Sequence, residues 1–192
     1  MIHTKLATTP SELEQIRALM LANMKQNLEN LDQGFLSVEY SMQDLIQFNE
    51  TTPAIIAVAP SGSDASSSVV VGYALAADMH AALAHHLLKE ATQEVYDRCS
   101  FNGKPIRDSK FVVMGQVCVA KECRGQGVLQ QLYSLFLSTY KERGYDLVET
   151  EVSKANERSL KAHVKTGWVV VDSLTVEGGE WHVIALDLKS SK

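Results

Sequence analysis

The chain has 192 residues, 45% hydrophobic and 21% charged, the balance of a globular protein large enough for one sizeable core. Its formal charge of −5 and its pI of about 5.7 leave no basic footprint for nucleic acid or an anionic membrane, and they suit a cationic partner. No apolar run approaches the ~20 residues of a membrane span, and residues 1–7 show no signal-peptide core. Cys99, Cys118 and Cys123 have no metal-ligand spacing and read as reduced thiols, so a cytoplasmic protein without a bound metal is expected.

Residues 2–8 suit a short first strand. Thr9-Pro10-Ser11-Glu12 is a capping box with proline at the first helical position. Leu13, Ile16, Leu19, Met20, Met24 and Leu28 then follow at helical spacing, which predicts a helix to about residue 28. An acidic loop over 29–37 precedes a short helix over 42–49 with Ser41 as its cap. Residues 53–59 and 69–76 read as strands, joined by a polar turn over 60–68 expected to be a mobile hairpin tip. Asp78 caps a predicted helix from 79 to about 98, with Leu83, Leu87, Ala91 and Val95 on one face. His80, His85 and His86 on it make no clean metal-ligand face and read as a solvated or half-buried helix surface. Residues 100–110 read as a polar loop.

The next stretch organises the chain. Residues 111–119 are rich in apolar and β-branched side chains and read as a buried strand. Apolar residues at 128, 129, 132, 133, 136 and 140 predict a helix over 128–142. Between them lies Arg124-Gly125-Gln126-Gly127. A strand, a glycine turn and a helix N-terminus make an anion site, because the first-turn N–H groups lack partners and the helix dipole adds partial positive charge. Glycine lets those groups meet a ligand closely, and the planar fork of Arg124 suits phosphate. Gln130 excludes the dinucleotide fingerprint, and no Gly-Lys-Ser/Thr follows for a nucleoside-triphosphate loop. Lys141, Arg143 and Gly144 then stop the helix. Residues 146–152 read as a strand, Asn156 caps a short helix ending at Gly167, and strands over 168–176 and 181–188 flank a two-residue turn at Gly178-Gly179. The order is that of an α/β domain with a mixed sheet.

The turn resembles the acetyl-CoA loop of the Gcn5-related N-acetyltransferases, whose pattern is Arg/Gln-x-x-Gly-x-Gly/Ala. Arg124 and Gly127 fill it, and Leu129 stands where the family has Gly or Ala. A second segment is similar too: Asn156, Ser159 and Gly167-Trp168 match a capped helix that ends in Gly-Phe or Gly-Trp. The resemblance covers nearly the whole chain. It implies a single domain over 1–192, with a mixed, mostly antiparallel sheet flanked by helices and an extra helix inserted before the central strand on the acceptor side. It also implies direct transfer of an acetyl group from acetyl-CoA to a primary amine, on a small molecule or a peptide. The pantetheine arm would pair with Val117, Cys118 and Val119, the phosphates would meet Arg124, Gly125, Gln126, Gly127, Val128 and Leu129, and Asn156 and Ser159 would complete the cofactor site.

His163 occupies the place where many relatives carry a tyrosine that protonates the departing thiolate. It is therefore the expected catalytic proton donor, the alternative being a packed ring. Residues 109–119 hold no carboxylate, only Gln116, so water or Glu149 and Glu151 must accept the amine proton, unless those two are merely charged residues at a strand edge. A covalent route through Cys118 lacks a base near it in sequence. A non-catalytic acyl-CoA-binding or sensing module of the same fold is the second reading. Homodimerisation stays open.

Overall fold

Thr9 and Glu12 begin the first helix as a reciprocal box. Thr9 Oγ1 accepts the Glu12 N–H at 3.3 Å, and the Glu12 carboxylate accepts the Thr9 N–H at 3.0 Å. Ser41 and Asp44 repeat the device at the second helix. The structure is a computed structural model that describes residues 1–61, 68–176 and 179–189. In chain order its elements are β1 (His3–Leu6), α1 (Pro10–Ala22), α2 (Met42–Thr51), β2 (Ile55–Pro60), β3 (Ser68–Asp78), α3 (Met79–Ala84), α4 (Lys89–Arg98), β4 (Ser100–Phe101), β5 (Lys104–Pro105), β6 (Phe111–Val119), α5 (Val128–Glu142), β7 (Leu147–Ser153), α6 (Glu157–Lys165), β8 (Val169–Val176) and β9 (Gly179–Asp187).

Seven strands form one sheet in the order β1-β2-β3-β6-β7-β9-β8, and β4-β5 is a separate small hairpin. Every neighbouring pair in the main sheet is antiparallel except β6–β7, which is parallel. Helices α1 to α4 cover one face with Ile16, Met20, Leu45, Phe48 and Val95. The other face packs under α5 through Leu132, Phe136 and Tyr140, together with Trp168 beyond α6. This is the expected α/β architecture of one mixed sheet between helices. Among the described residues no helix is long and apolar enough to cross a membrane.

Four details differ from the sequence reading. The first helix stops at Ala22, not near 28, because the Asn23 side-chain amide folds back onto the Leu19 carbonyl and Met24 then bridges to Leu36. The inserted segment is two helices, not one. His85 takes an extended backbone at the break, its Nδ1 accepts the Leu87 N–H at 3.3 Å, and its ring packs against Tyr40 and Phe48. The buried stripe accordingly runs through Leu88, Thr92, Val95 and Cys99, so Leu83, Leu87 and Ala91 are only partly covered. Gly179 is already in β9, paired with Val176, while the rest of the expected Gly178-Gly179 turn lies outside the described residues. The expected hairpin tip over 60–68 falls mostly on 62–67, also outside them, although Pro60 and Ser68 pair across β2 and β3.

One irregularity positions the site. Parallel pairing of β6 with β7 is confined to Phe111, Val112 and Val113 against Leu147, Val148 and Glu149. The Thr150 hydroxyl donates to the Met114 carbonyl at 2.7 Å, and beyond that point no backbone pairing links the two strands among the described residues. β6 stays registered with β3 as far as Val119. The sheet therefore forks, and residues 115–119 keep backbone polar groups facing the gap.

Candidate active site

A cavity of about 470 Å³ occupies the fork and the space between α5 and α6. It brings together Val117, Cys118, Val119, Arg124, Gly125, Gly127, Val128, Leu129, Asn156, Ser159 and His163, which lie far apart in sequence. Of the residues expected to hold a cofactor, Gln126 is not on its wall, since its side-chain amide donates to the Glu122 carbonyl at 2.9 Å. A second, inner cavity of about 80 Å³ continues on the far side of β6. It shares Phe35, Val117, Asn156 and His163 with the first and adds Gln116, Glu151 and Trp181.

The glycine turn reaches its shape through backbone conformation. Gly125 and Gly127 have φ of +75° and +77°, and Gly127 caps α5 in the left-handed region. A Cβ on Gly125 would meet nothing within 4 Å, and one on Gly127 only the Gln130 Oε1 at 3.8 Å. The glycines are thus required by φ, and no protein atom fills the space beside them.

Arg124 lines the outer cavity and spends three of its five donors inside the protein. Nε donates to the Val119 carbonyl at 2.9 Å, NH1 to the Gln33 carbonyl at 2.9 Å and NH2 to Asn23 Oδ1 at 2.8 Å. The side chain lashes the glycine turn to the end of α1 and to the loop that follows it. Asn156 pins the same loop from the other side. Its Oδ1 accepts the Ser159 N–H as a helix cap at 3.3 Å, while its Nδ2 donates to the Phe35 carbonyl at 2.8 Å. Gln116 does so from the floor, because its amide donates to the Val38 carbonyl at 2.8 Å and accepts from the Tyr73 hydroxyl. A strap over residues 33–38 thereby roofs both cavities.

His163 is 4% exposed, and its Nδ1 lies 2.8 Å from the Ser159 carbonyl. A carbonyl only accepts, so Nδ1 carries the proton. Burial holds the ring below its ordinary pKa despite that bond. The neutral ring then has its lone pair on Nε2, which has no hydrogen-bond partner among the described residues. A resting acid needs a proton there, which this tautomer lacks, so the geometry does not favour the expected donor role. Cys118 is buried too, and burial pushes its thiol up to about 12 in spite of the Arg124 charge, which removes it as a nucleophile at neutral pH.

Glu149 and Glu151 are not edge charges, since β7 is an interior strand. They project to the same face two residues apart. Glu149 is wholly buried, and neither of its oxygens has a partner among the described residues. Burial first, and then the Glu151 charge, raise its carboxyl well above the usual range. Glu151 lines the inner cavity with Oε1 sealed and unpartnered, and burial pushes it up to about 7 against a bond from its own backbone N–H. His85 is also buried instead of solvated, with Nε2 3.3 Å from Asp44 Oδ1.

Sequence reasoning missed Tyr133, which it read only as one apolar position of a helix stripe. It also passed over Arg158 and Lys165, which line the outer cavity and form no ion pair among the described residues. Their nearness to Asn156 and Gly167 was the available signal.

A forked mixed sheet, with a left-handed glycine turn opening the helix beside the fork, defines an acetyltransferase-like site. The model of the acetyltransferase (GNAT) family matches residues 25–168, and the chain belongs to that family. Solved structures agree in fold. The NatC complex bound to Gag peptide and CoA superposes with a TM-score of 0.65 at 14% identity, over 97% of this chain and 98% of that one. YncA, a putative acetyltransferase from Salmonella typhimurium with acetyl-CoA, gives 0.64 at 15% identity over 100% and 96%. Ard1 from Thermoplasma volcanium gives 0.63 at 14% over 97% of each chain. No curated relative matches the chain.

Proposed function

We propose that the protein transfers an acetyl group from acetyl-CoA directly to a primary amine, on a peptide or a small molecule. The observation that carries this reading is the continuity of the two cavities across the fork. The outer one has the unpaired strand and the glycine turn, and the inner one ends on a carboxylate poised near neutrality. Two of the structures of like fold contain CoA or acetyl-CoA, and one of these also holds a peptide, which supports the donor and the kind of acceptor.

In this reading the acetyl donor enters the outer cavity. The backbone of Val117, Cys118 and Val119 adds the pantetheine arm to the open side of β6, and a strand N–H polarises the thioester carbonyl. The α5 N-terminus receives the phosphates through Gly125, Gly127, Val128 and Leu129. Arg158 and Lys165, on the wall of the same cavity, add positive charge beside Arg124. Asn156 and Ser159 hold the wall of the site, and His163 presents Nε2 as an acceptor. The amine enters on the inner side. Glu151 takes its proton, so attack and deprotonation occur on the face of β6 opposite the phosphates.

Thiol release from acetyl-CoA across a panel of small amines and peptide N-termini tests the proposal. We expect turnover with at least one amine, with kcat/KM rising as pH passes about 7, where Glu151 sheds its proton. Glu151→Gln should remove that limb and slow the reaction by about 10²–10⁴-fold. Tight CoA binding with no turnover on any amine would favour a sensing module instead.

A further inference from the structure

The inner cavity has a one-sided inventory of charge. Among the described residues that line it, Glu151 is the only acid, and no lysine or arginine stands with it. The side-chain donors that could answer an anion are already committed. Gln116 Nε2 and Asn156 Nδ2 donate to the Val38 and Phe35 carbonyls, each at 2.8 Å, and the Thr150 hydroxyl donates to the Met114 carbonyl at 2.7 Å. His163 spends its proton on the Ser159 carbonyl, and burial holds the ring below its ordinary pKa. The charge that the wall offers is therefore one carboxylate, which matches an amine and repels a second anion.

The space is also small, and its walls are held. About 80 Å³ is the liquid volume of roughly three water molecules. That is room for an amine nitrogen, its carbon and one short substituent, with the rest of an acceptor at the mouth. Leu36 and Val38 of the strap form the roof. The Leu36 N–H donates to the Asn23 carbonyl and its carbonyl accepts from the Lys25 N–H, both at 2.9 Å, while Gln116 ties Val38 from below. Trp181 closes one side. Its backbone is paired with Ser153 in β7 and with Leu174 in β8. Its indole lies back over Gly179, where a Cβ would stand 3.0 Å from Nε1. Nε1 is sealed, so the face that the indole gives the cavity is carbon. Walls tied by backbone bonds on both sides resist opening for a bulkier group.

We infer that the acceptor is a primary amine whose neighbouring carbon carries no free carboxylate and only a small uncharged substituent, such as a methyl group. The inference rests on the proposed placing of the amine in the inner cavity. A free amino acid would bring its carboxylate two bonds from the amine nitrogen, toward Glu151 and with no lining cation to meet it. An amide at the same carbon removes that charge and keeps the amine. A benzyl group in place of the methyl exceeds the space that Trp181, Leu36 and Val38 leave. Trp181 is thus a specificity-determining residue, set by packing and remote from the cofactor turn.

The test is calorimetric. Alaninamide, alanine and phenylalaninamide are titrated into the protein saturated with CoA at a pH of about 8, above the value near 7 where Glu151 ionises. CoA carries no acetyl group, so nothing is turned over. Alaninamide should bind at least about tenfold more tightly than either of the others, a gap of about 1.4 kcal/mol. Glu151→Gln should shrink the gap to alanine severalfold and keep the gap to phenylalaninamide. Trp181→Ala should do the opposite. Should Trp181→Ala fold poorly, Leu36→Ala removes bulk from the roof and should narrow the same gap. Alanine or phenylalaninamide bound as tightly as alaninamide by the unmodified protein overturns the proposal, and so does the absence of binding by all three. Selective binding of alaninamide without thiol release from acetyl-CoA would leave the acceptor class standing and bring down the transfer reading. Transfer to alanine as fast as to alaninamide would do the reverse.

Discussion

Arg124 shows how a residue can satisfy a motif and yet act through a different contact. Its guanidinium makes three bonds within the protein, to Val119 at the end of β6, Gln33 of the strap and Asn23 at the end of α1, and together they tie the glycine turn to the strap and to α1. Arg124→Ala should lower folding stability by about 1.5–3 kcal/mol, the range for hydrogen bonds to a charged group, as read from denaturant midpoints. Arg124→Lys separates charge from geometry. A lysine restores the positive charge but has no planar fork, so stability should stay low while CoA affinity recovers whatever part is long-range attraction. Full recovery of stability in the lysine variant would refute the strap role. The sequence made Arg124 and Asn156 visible as site residues and Gln116 only as the polar residue of a strand without a carboxylate, and it showed the second use of none of them. Each reaches a backbone carbonyl between 33 and 38, a contact across 78 to 121 positions that no local pattern encodes. His163 was found by its place in a capped helix, and its tautomer was not, because that depends on one carbonyl at 2.8 Å.

At the scale of elements, start signals were legible and stop signals were less so. Thr9, Ser41, Asp78 and Asn156 all accept the N–H bonds expected of caps, since a cap is a contact within three residues. The ends of α1 and α3 depend on what lies across the fold. α3 breaks where the His85 ring leaves the helix to sit on Phe48 and Tyr40, with Asp44 beside it. No helical period can announce that. The turn before α5 was legible as glycines, and the structure makes their reason testable. Gly127 sits at φ +77° with room around its missing Cβ. Gly127→Ala should therefore cost about 1–2 kcal/mol through left-handed backbone strain. Gly127→Asn should cost less despite its size, because asparagine tolerates that region. An alanine variant as stable as the unmodified protein would mean that the left-handed backbone is not what requires glycine there, and chemical denaturation of the pair decides it.

For the molecule as a whole, the paired acids of β7 are the least favourable feature of the core. Glu149 is sealed without a partner beside Glu151, and burying a carboxylate penalises its charged form. Both acids therefore keep protons in the folded state at pH values where the unfolded chain has lost them. Their contribution to stability is complete below the ordinary carboxylate pKa of 4.5 and is lost as pH rises through the folded values, near 7 for Glu151 and well above the ordinary range for Glu149. A core that tolerates such a penalty commonly does so at a working site, and the inner cavity ends on this pair. The two acids divide the roles by depth. Glu151 meets the cavity and titrates first. Glu149 lies behind it and stays protonated while Glu151 sheds its proton, so glutamine at 149 mimics its working form. Glu149→Gln should then raise the thermal midpoint near pH 9 by about 4 °C or more over the unmodified protein, with little difference near pH 5. The neutral-pH limb of kcat/KM should stay where it was, because Glu151 still faces an uncharged neighbour. Parallel melting curves and rate profiles across that range test both halves. An unchanged midpoint near pH 9 would mean that Glu149 carries no penalty in the fold. A limb displaced toward acid would mean that Glu149 ionises ahead of Glu151, and the assignment of base and neutral partner would be reversed.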